Sequence, residues 1–308
     1  MLLNFIKQNN IGTLYENVSL KDKTTLRIGG IVKYFLVVKD IKALKKIIKF
    51  CYLNKIKYFI IGNGSNLLIS DEYYDTLFIS LKKINKYFKI NKNTYLVEAG
   101  LSGIKFGKKM IENGFLDSIH LSLIPGTIGG FIYMNASAFK YSMKDITIKV
   151  IYMDRYGNLK SKSDNFEFDY RKSFFQNNNY IIVASILKFN KYSELTKEKY
   201  QKFLKIKKTT QPINEYSAGS IFKNLNDVKA WELIEKCNLR GYTVGDAMVS
   251  NMHTNFLINK KNATFNEMYS LIYFVKRKVK EQFNIELVPE IKIITKDSIC
   301  PCQFKSTE

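Results

Sequence analysis

"SLIPGTIGG", residues Ser122 to Gly130, places three glycines, a proline and mostly small side chains in the middle of the chain. Such a stretch builds little core, but its bare backbone can approach a bulky group closely. A second glycine-rich segment, "GNGSN" at residues 62–66, follows the hydrophobic run "YFII". Its successive backbone N–H groups can converge on an anion such as a pyrophosphate. Together the two segments predict one extended cofactor that bears a diphosphate and lies between them.

Either segment alone is also compatible with an ordinary glycine turn, because short glycine patterns are weak signals. The surrounding sequence predicts strands that alternate with helices, and hence an α+β fold. In the first lobe we expect strands at "YFLVV", "YFII" and "LFISL" and a helix capped by Asp40. In the second lobe we expect a helix near Gly103–Glu112, a hairpin turning at Gly157-Asn158 and the apolar strand "IIVASILKF".

The C-terminal third of the chain begins with a charged run, Tyr192 to Lys208, which is typical of a solvated helix at a domain boundary. A helix from Asn226 to Gly241 and a helix with the capping box Thr264-x-x-Glu267 follow, with two strands around Pro289. The predicted divisions are therefore two lobes at 1–80 and 81–195, a C-terminal domain at 196–298 and a tail at 299–308.

Composition excludes several classes of function. With 308 residues and 46% hydrophobic residues, the chain can bury a sizeable core. No run approaches the roughly 18 apolar residues of a membrane span, and the first ten residues turn polar too early for a signal peptide. We therefore expect a soluble, cytoplasmic monomer with no membrane insertion. Four cysteines and two histidines lack the spacing of a metal site, so we expect reduced thiols and no metal.

The charge of the chain is compatible with a nucleic-acid partner, because 49 Lys and Arg against 27 acids give a net charge of +22. The lysines, however, are spread through the whole sequence together with abundant Ile and Asn, as AT-rich codon usage would produce. We therefore expect no nucleic-acid partner, although a positive field would still attract anions that carry phosphates.

A third unusual segment is "SAGSIFKN", Ser217 to Asn224. Ser220 has no histidine nearby to activate it as the nucleophile of a hydrolase. Its hydroxyl could still donate a proton to a strong carbanion. A serine that merely caps a turn remains the alternative.

These segments, in this order, resemble the flavin-dependent UDP-N-acetylenolpyruvoylglucosamine reductases. The similar stretches extend over most of the chain: "TTLRIGG", "IGNGSNLL", "IPGTIGG" with "MNASAF", "YRKS", "AGSIFKN", "LIEKCNLRGYTVGDAMVSNMHTNFLIN" and "FNIELVPEIKII". The resemblance implies an FAD-binding fold of two α+β lobes, of the vanillyl-alcohol-oxidase or PCMH-like type, followed by a C-terminal α+β domain for substrate. Other FAD-dependent oxidases and dehydrogenases of the same fold are the alternative, and a basic nucleic-acid-binding protein is a third hypothesis.

The resemblance also implies a reaction and its residues. NADPH would reduce non-covalently bound FAD, and the reduced flavin would pass a hydride to the enolpyruvyl group of UDP-N-acetylglucosamine enolpyruvate, giving UDP-N-acetylmuramate for peptidoglycan. Arg171 would pair with the substrate carboxylate, Glu290 would complete its polarisation and Ser220 would supply the proton. The residues implied to hold FAD are Gly62, Asn63, Gly64, Ser65, Asn66, Pro125, Gly126, Thr127, Gly129, Gly130 and Asn135. Those implied on the substrate side are Tyr170, Lys223 and Asn224, with one of Lys205, Lys207 or Lys208 facing the diphosphate.

The chain departs from the family pattern at several positions. Ser137 and Lys140 stand where the resembling segment has glycines, Leu225 stands at a common proline and Leu123 at a common glycine. Only 49 positions separate Arg171 from Ser220, as in the shorter form of the family, which lacks an inserted tyrosine-bearing loop.

Overall fold

The computed structural model describes residues 1–176, 180–225 and 228–299. Within these ranges the α-helices are α1 (Leu2–Gln8), α2 (Ile41–Leu53), α3 (Gly103–Glu112), α4 (Ile119–Leu123), α5 (Ile128–Met134), α6 (Met143–Ile146), α7 (Thr196–Thr210), α8 (Ala230–Lys236) and α9 (Phe265–Phe283). Short 3-10 helices span Lys21–Lys23, Leu116–Ser118 and Phe174–Gln176.

The β-strands in the same ranges are β1 (Gly12–Ser19), β2 (Ile31–Val38), β3 (Tyr58–Ile61), β4 (Leu67–Ile69), β5 (Tyr73–Ser80), β6 (Tyr87–Lys89), β7 (Thr94–Glu98), β8 (Ser137–Ala138), β9 (Tyr141–Ser142), β10 (Thr147–Met153), β11 (Leu159–Lys162), β12 (Ile181–Lys188), β13 (Tyr216–Ser220), β14 (Thr243–Val244), β15 (Ala247–Val249), β16 (Phe256–Asn259) and β17 (Lys292–Ile294). No helix in the described ranges is both long and apolar enough to cross a bilayer.

The first sheet has the strand order β1-β2-β5-β3, in which β5 lies parallel to both β2 and β3. The helix α2 crosses between β2 and β3 and begins where predicted, because the Asp40 side chain accepts a hydrogen bond from the Ala43 N–H at 2.7 Å. Its apolar face, which includes Leu44 and Ile48, is fully buried. The predicted helix and the strands predicted at "YFLVV", "YFII" and "LFISL" therefore correspond to α2, β2, β3 and β5, whereas β1 and β4 were not predicted.

The second sheet is antiparallel throughout, in the order β11-β10-β12-β7-β6. The predicted hairpin joins β10 to β11, and Gly157 takes a φ of +82° in its turn. One continuous apolar cluster joins the two sheets, from Leu44 on α2 to Val183 on β12. Most of α7 is exposed, as the charged run predicts, but Tyr200 is buried against Ile119 of the second lobe.

The third sheet has the order β13-β16-β15-β14, and α9 begins at the predicted capping box of Thr264 and Glu267. The helix predicted from Asn226 to Gly241 is shorter, since α8 covers Ala230–Lys236, and Asn226 itself lies outside the described residues. The pair of strands predicted around Pro289 is also wrong. In the described part of the chain only β17 follows Pro289, and Pro289 itself forms an isolated bridge with Phe222.

The end of the chain returns to the first lobe. Strand β17 pairs in parallel with β4, which directly follows "GNGSN", and the Lys292 N–H donates to the Asn66 carbonyl at 3.0 Å. Leu26 and Leu68 of the N-terminal region are buried in the apolar cluster of the third sheet. This return places Glu290, two residues before β17, beside the glycine-rich turn. Of the predicted tail, 299–308, Ile299 is buried in an apolar cluster with Ile69 and Phe78, and the other residues lie outside the described part of the chain.

Candidate active site

The "GNGSN" turn is held through its carbonyl groups. The Gly64 carbonyl accepts from the Thr25 N–H at 3.2 Å, and the Asn66 carbonyl accepts from Lys292. Gly64 has a φ of +62°, and a Cβ there would collide with the Lys23 carbonyl, so only glycine fits. Among the described residues, none accepts a hydrogen bond from the five backbone N–H groups of 62–66. Adjacent unpaired N–H groups of this kind fit an anion such as a diphosphate.

The second glycine-rich segment faces the first. A Cβ placed on Gly62 would lie 2.9 Å from Thr127 Oγ1, and Thr127 caps α5 by accepting from the Gly130 N–H at 3.4 Å. Gly130 is exposed, and within 4 Å of a Cβ there only Thr127 Oγ1 is found among the described atoms. The two segments are therefore in contact at Gly62 and Thr127, and the exposed backbone of Gly130 lies beside this contact.

Two glycines of "IPGTIGG" pack against other residues of the protein. A Cβ on Gly126 would collide with the Phe131 ring, and the opposite edge of the same ring lies against Gly103. Gly129 packs against Ala99, whose carbonyl accepts its N–H at 2.8 Å. The bare backbone at Gly126 thus accommodates an aromatic ring of the protein itself, while Pro125 beside it is exposed.

Arg171, in "YRKS", is fixed by two other segments of the chain. Its Nε donates to Glu290 Oε1 at 2.5 Å, and its Nη1 donates to Ser137 Oγ at 2.7 Å. The Arg171 and Glu290 side chains are only 17% and 13% exposed. The Tyr170 ring lies 5.0 Å from the guanidinium carbon. A nearly buried ion pair therefore joins the second lobe to the C-terminal segment.

The "YRKS" loop is supported by Asn135, one of the predicted FAD residues. Asn135 ends α5 in the left-handed conformation, with a φ of +42°. Its Nδ2 donates to the Asp169 carbonyl at 3.0 Å, and its Oδ1 accepts from the Lys144 N–H at 2.9 Å. In this structure the Asn135 amide connects the end of the second glycine-rich segment to the loop that carries Arg171.

Ser220 ends β13 next to the segment that carries Glu290. The Ile221 carbonyl accepts from the Glu290 N–H at 2.7 Å, and the Asn66 Nδ2 donates to the Glu290 carbonyl at 3.2 Å. The Ser220 hydroxyl has no hydrogen-bond partner within residues 1–176, 180–225 and 228–299. Gly219 has a φ of +79° and no atom within 4 Å of an added Cβ. The hydroxyl of the half-buried Ser220 is therefore free of partners within the described residues.

Burial dominates the electrostatics of Glu290. It raises the pKa of the Glu290 carboxyl above its ordinary value, although the positive charges of Arg171 and Lys223 act in the opposite direction. Partial burial and the charge of Lys223 lower the pKa of Lys292. Two cations, Arg171 and Lys223, thus act on one carboxyl, and Lys292 lies near Lys223, so the site has a positive charge suited to an anionic ligand.

The predicted substrate-side residues lie where the second lobe contacts the segment that follows β13 of the third sheet. Tyr170 Oη accepts from the Asn224 N–H at 3.3 Å, and Asn224 Oδ1 accepts from Ala230 at the start of α8. The Lys223 N–H donates to the Val288 carbonyl. Of the three candidate lysines, Lys207 turns inward to the Leu123 carbonyl, and burial lowers its pKa, whereas Lys205 and Lys208 are exposed.

The sequence interpretation assigns no role to Asn255 and none to the side chain of Ser137. Asn255 is 3% exposed; its Oδ1 accepts from the Phe222 N–H and its Nδ2 donates to the Phe222 carbonyl, both at 2.9 Å. It therefore fixes the strand segment that follows Ser220. Asn255 lies within a motif that carries the resemblance. Its two hydrogen bonds to Phe222, however, join residues 33 positions apart, and only the fold reveals such a contact.

Comparison with known proteins agrees with this geometry. Residues 32–161 match the model of an FAD binding domain, and residues 211–294 match the C-terminal domain of UDP-N-acetylenolpyruvoylglucosamine reductase. The reductase of that name from Protochlamydia amoebophila is 37% identical over 91% of this chain and 94% of its own length. The one from Bacillus pumilus is 33% identical over 96% of this chain and 99% of its own.

A solved structure resembles the whole architecture. The crystal structure of UDP-N-acetylenolpyruvylglucosamine reductase from Thermus caldophilus has a TM-score of 0.79 and 28% identity, and the match covers 92% of this chain and 100% of that one. The predicted α+β class with an FAD-binding fold is confirmed by these matches. The chain belongs to the UDP-N-acetylenolpyruvoylglucosamine reductase family.

Proposed function

We propose that this protein reduces UDP-N-acetylglucosamine enolpyruvate to UDP-N-acetylmuramate, with FAD as a non-covalent cofactor and NADPH as the hydride donor. The observation that carries the proposal is the nearly buried pair of Arg171 and Glu290 beside the free hydroxyl of Ser220. This cluster adjoins the turn whose N–H groups are unpaired, because Asn66 bonds to Glu290. An anion-binding turn and a carboxylate-binding cation thus share one site.

The residues proposed to hold FAD are those of the two glycine-rich segments. The N–H groups of 62–66 would bind the diphosphate, and the exposed backbone of Gly130 would leave room for the rest of the cofactor. The chemistry supplied by bound FAD is the transfer of a hydride from NADPH to the enolpyruvyl double bond. Asn135 is proposed to act on this site through the "YRKS" loop that it supports.

Arg171 is proposed to bind the carboxylate of the enolpyruvyl group. Two of its five N–H groups are engaged by Glu290 and Ser137, so the others remain for the ligand. When the terminal carbon gains a hydride, negative charge develops toward that carboxylate, where a fixed guanidinium stabilises it. Glu290 holds the guanidinium plane by a charge-assisted hydrogen bond.

Ser220 is proposed to deliver the proton that completes the reduction. Saturating the double bond requires one hydride on the terminal carbon and one proton on the adjacent carbon. The free Ser220 hydroxyl can donate that proton to the carbanion, and solvent then restores it. Asn255 keeps the adjoining segment in register, so the hydroxyl and the Glu290 segment keep their relative positions.

We propose that the enzyme is cytoplasmic and monomeric, that it acts in peptidoglycan precursor synthesis and that it binds no nucleic acid. The residues proposed to contact the substrate lie where the second lobe meets the segment after β13; they are Tyr170, Lys223 and Asn224. Sedimentation would measure the oligomeric state, and salt-dependent DNA binding would contradict the absence of a nucleic-acid partner.

Anaerobic absorbance spectroscopy tests the reaction. We expect a yellow protein that bleaches with NADPH and recolours when UDP-N-acetylglucosamine enolpyruvate is added. A protein that takes up no FAD, or that bleaches and then fails to recolour with this substrate, would overturn the proposed function. Bleaching of the oxidised flavin by small alcohols or hydroxy acids, in place of NADPH, would instead support an oxidase or dehydrogenase of the same fold.

A further inference from the structure

The contact between Ser137 and Arg171 depends on a side chain at a position where the resembling family segment has glycine. Ser137 begins the short strand β8, which pairs with β9 through Ser142. Its hydroxyl oxygen lies 2.7 Å from Arg171 Nη1 and accepts a hydrogen bond from it. The resembling segment of the family has glycine at this position, and glycine offers no side-chain acceptor. The contact is therefore an addition to the family pattern.

The backbone of Arg171 is held in an uncommon conformation. Its φ is +55°, in a region that residues other than glycine seldom adopt. The loop around it is short, and a hydrogen bond from Gln176 Nε2 to the Arg171 carbonyl holds it at 3.1 Å. A bond from Nε to Glu290 alone would let the planar guanidinium pivot about that contact. A second bond at Nη1 restricts the pivot, because the two hydrogen-bonded nitrogens and the covalent attachment of the side chain together define the orientation of the plane.

We propose that Ser137 is a positioning residue for the step that consumes the enolpyruvyl substrate, because its hydroxyl locks the Arg171 guanidinium against Glu290 with the remaining N–H groups presented to the substrate carboxylate. This inference rests on the proposed function. It predicts that Ser137 acts on the second half of the reaction, in which the carboxylate gathers charge, and that the reduction of the flavin by NADPH is independent of it.

Stopped-flow absorbance of the flavinylated protein tests the inference with Ser137→Ala. We expect flavin content and NADPH-dependent bleaching equal to those of the parent, and recolouring by UDP-N-acetylglucosamine enolpyruvate slowed roughly ten-fold, the effect typical of a hydrogen bond to a charged group. Ser137→Thr keeps the hydroxyl and should restore most of the rate. The matched control is Ser142→Ala, which removes the hydroxyl opposite Ser137 in the same hairpin; this hydroxyl bonds to Asp145 in the capping box of α6, and the variant should recolour like the parent.

A double-mutant cycle separates positioning from hairpin stability. Lysine has no second nitrogen for Ser137 to hold, so Ser137→Ala should change the substrate affinity of Arg171→Lys less than two-fold, as followed by the perturbation of the flavin spectrum. The inference is wrong if Ser137→Ala recolours as fast as the parent, if Ser142→Ala is slowed equally, or if Ser137→Ala loses its flavin. If the parent itself fails to recolour, the proposed function fails and the inference falls with it.

Discussion

Arg171 and Glu290 lie 119 positions apart in the chain, yet the Arg171 Nε donates to Glu290 Oε1 across 2.5 Å. The pair is nearly buried, and burial raises the pKa of the Glu290 carboxyl even beside two cations. A carboxylate in such a place costs free energy of desolvation, which the guanidinium offsets only while the geometry is maintained. This contact is therefore the feature on which the proposed chemistry depends most directly.

Glu290→Gln should slow the substrate-dependent recolouring of the flavin by roughly 10- to 100-fold, because a neutral amide holds the Arg171 guanidinium more weakly than a carboxylate does. Bleaching by NADPH should be unchanged. The matched control is Glu286→Gln. Glu286 lies four positions before Glu290 in the same segment and forms an exposed ion pair with Lys276. Equal rates for Glu290→Gln and the parent would show that the ion pair is structural only.

Ser220→Ala should leave NADPH bleaching intact and slow recolouring by at least about 100-fold, the usual contribution of a general acid. Ser217→Ala, on the same strand β13, provides the control. Stopped-flow absorbance under anaerobic conditions measures both phases. A Ser220→Ala protein that recolours at the parental rate would exclude Ser220 as the proton donor, and one that cannot bleach would place Ser220 in the flavin site.

Gly126→Val should destabilise the protein even without flavin. A Cβ there meets the Phe131 ring, and overpacking of this kind costs about 1–3 kcal/mol. Urea unfolding of the flavin-free protein measures the loss, and Gly126→Val combined with Phe131→Leu should recover part of it. If the variant has unaltered stability and only its flavin affinity falls, the glycine serves the cofactor and the packing explanation is wrong.

His120 should make stability depend on pH. Its ring is fully buried, and burial lowers its pKa from 6.5 to about 4. The unfolded chain therefore binds the proton more readily, so this contribution is fully present above pH 6.5 and is lost as the pH falls toward about 4. The lowering of the pKa corresponds to roughly 3 kcal/mol.

His120→Asn keeps a donor near the Asp117 carbonyl and should flatten the fall in the free energy of unfolding over this pH range. Denaturant titrations at a series of pH values measure it, with His253→Asn, at a half-buried ring, as the comparison. An equally steep fall in the parent and in His120→Asn would assign the pH dependence to other groups.

Signals that act between near neighbours could be predicted from the sequence. The cap at Asp40, the capping box at Thr264 and the hairpin at Gly157 each arise within a few residues, and each is present in the structure. The bounds Gly103–Glu112 of α3 are also those predicted. Errors arose where a segment depended on a distant partner, as in the strand expected before Pro289.

The amino-acid sequence by itself determined the local elements, the two glycine-rich turns and, through ordered motifs, the family. The tertiary structure alone decided which residues meet. It placed Gly62 against Thr127 and brought Ser137 to Arg171. The physical reason is range: capping and turn preferences act within a few residues, whereas these contacts, like the pairing of β4 with β17 across more than two hundred positions, join segments that are distant in the sequence.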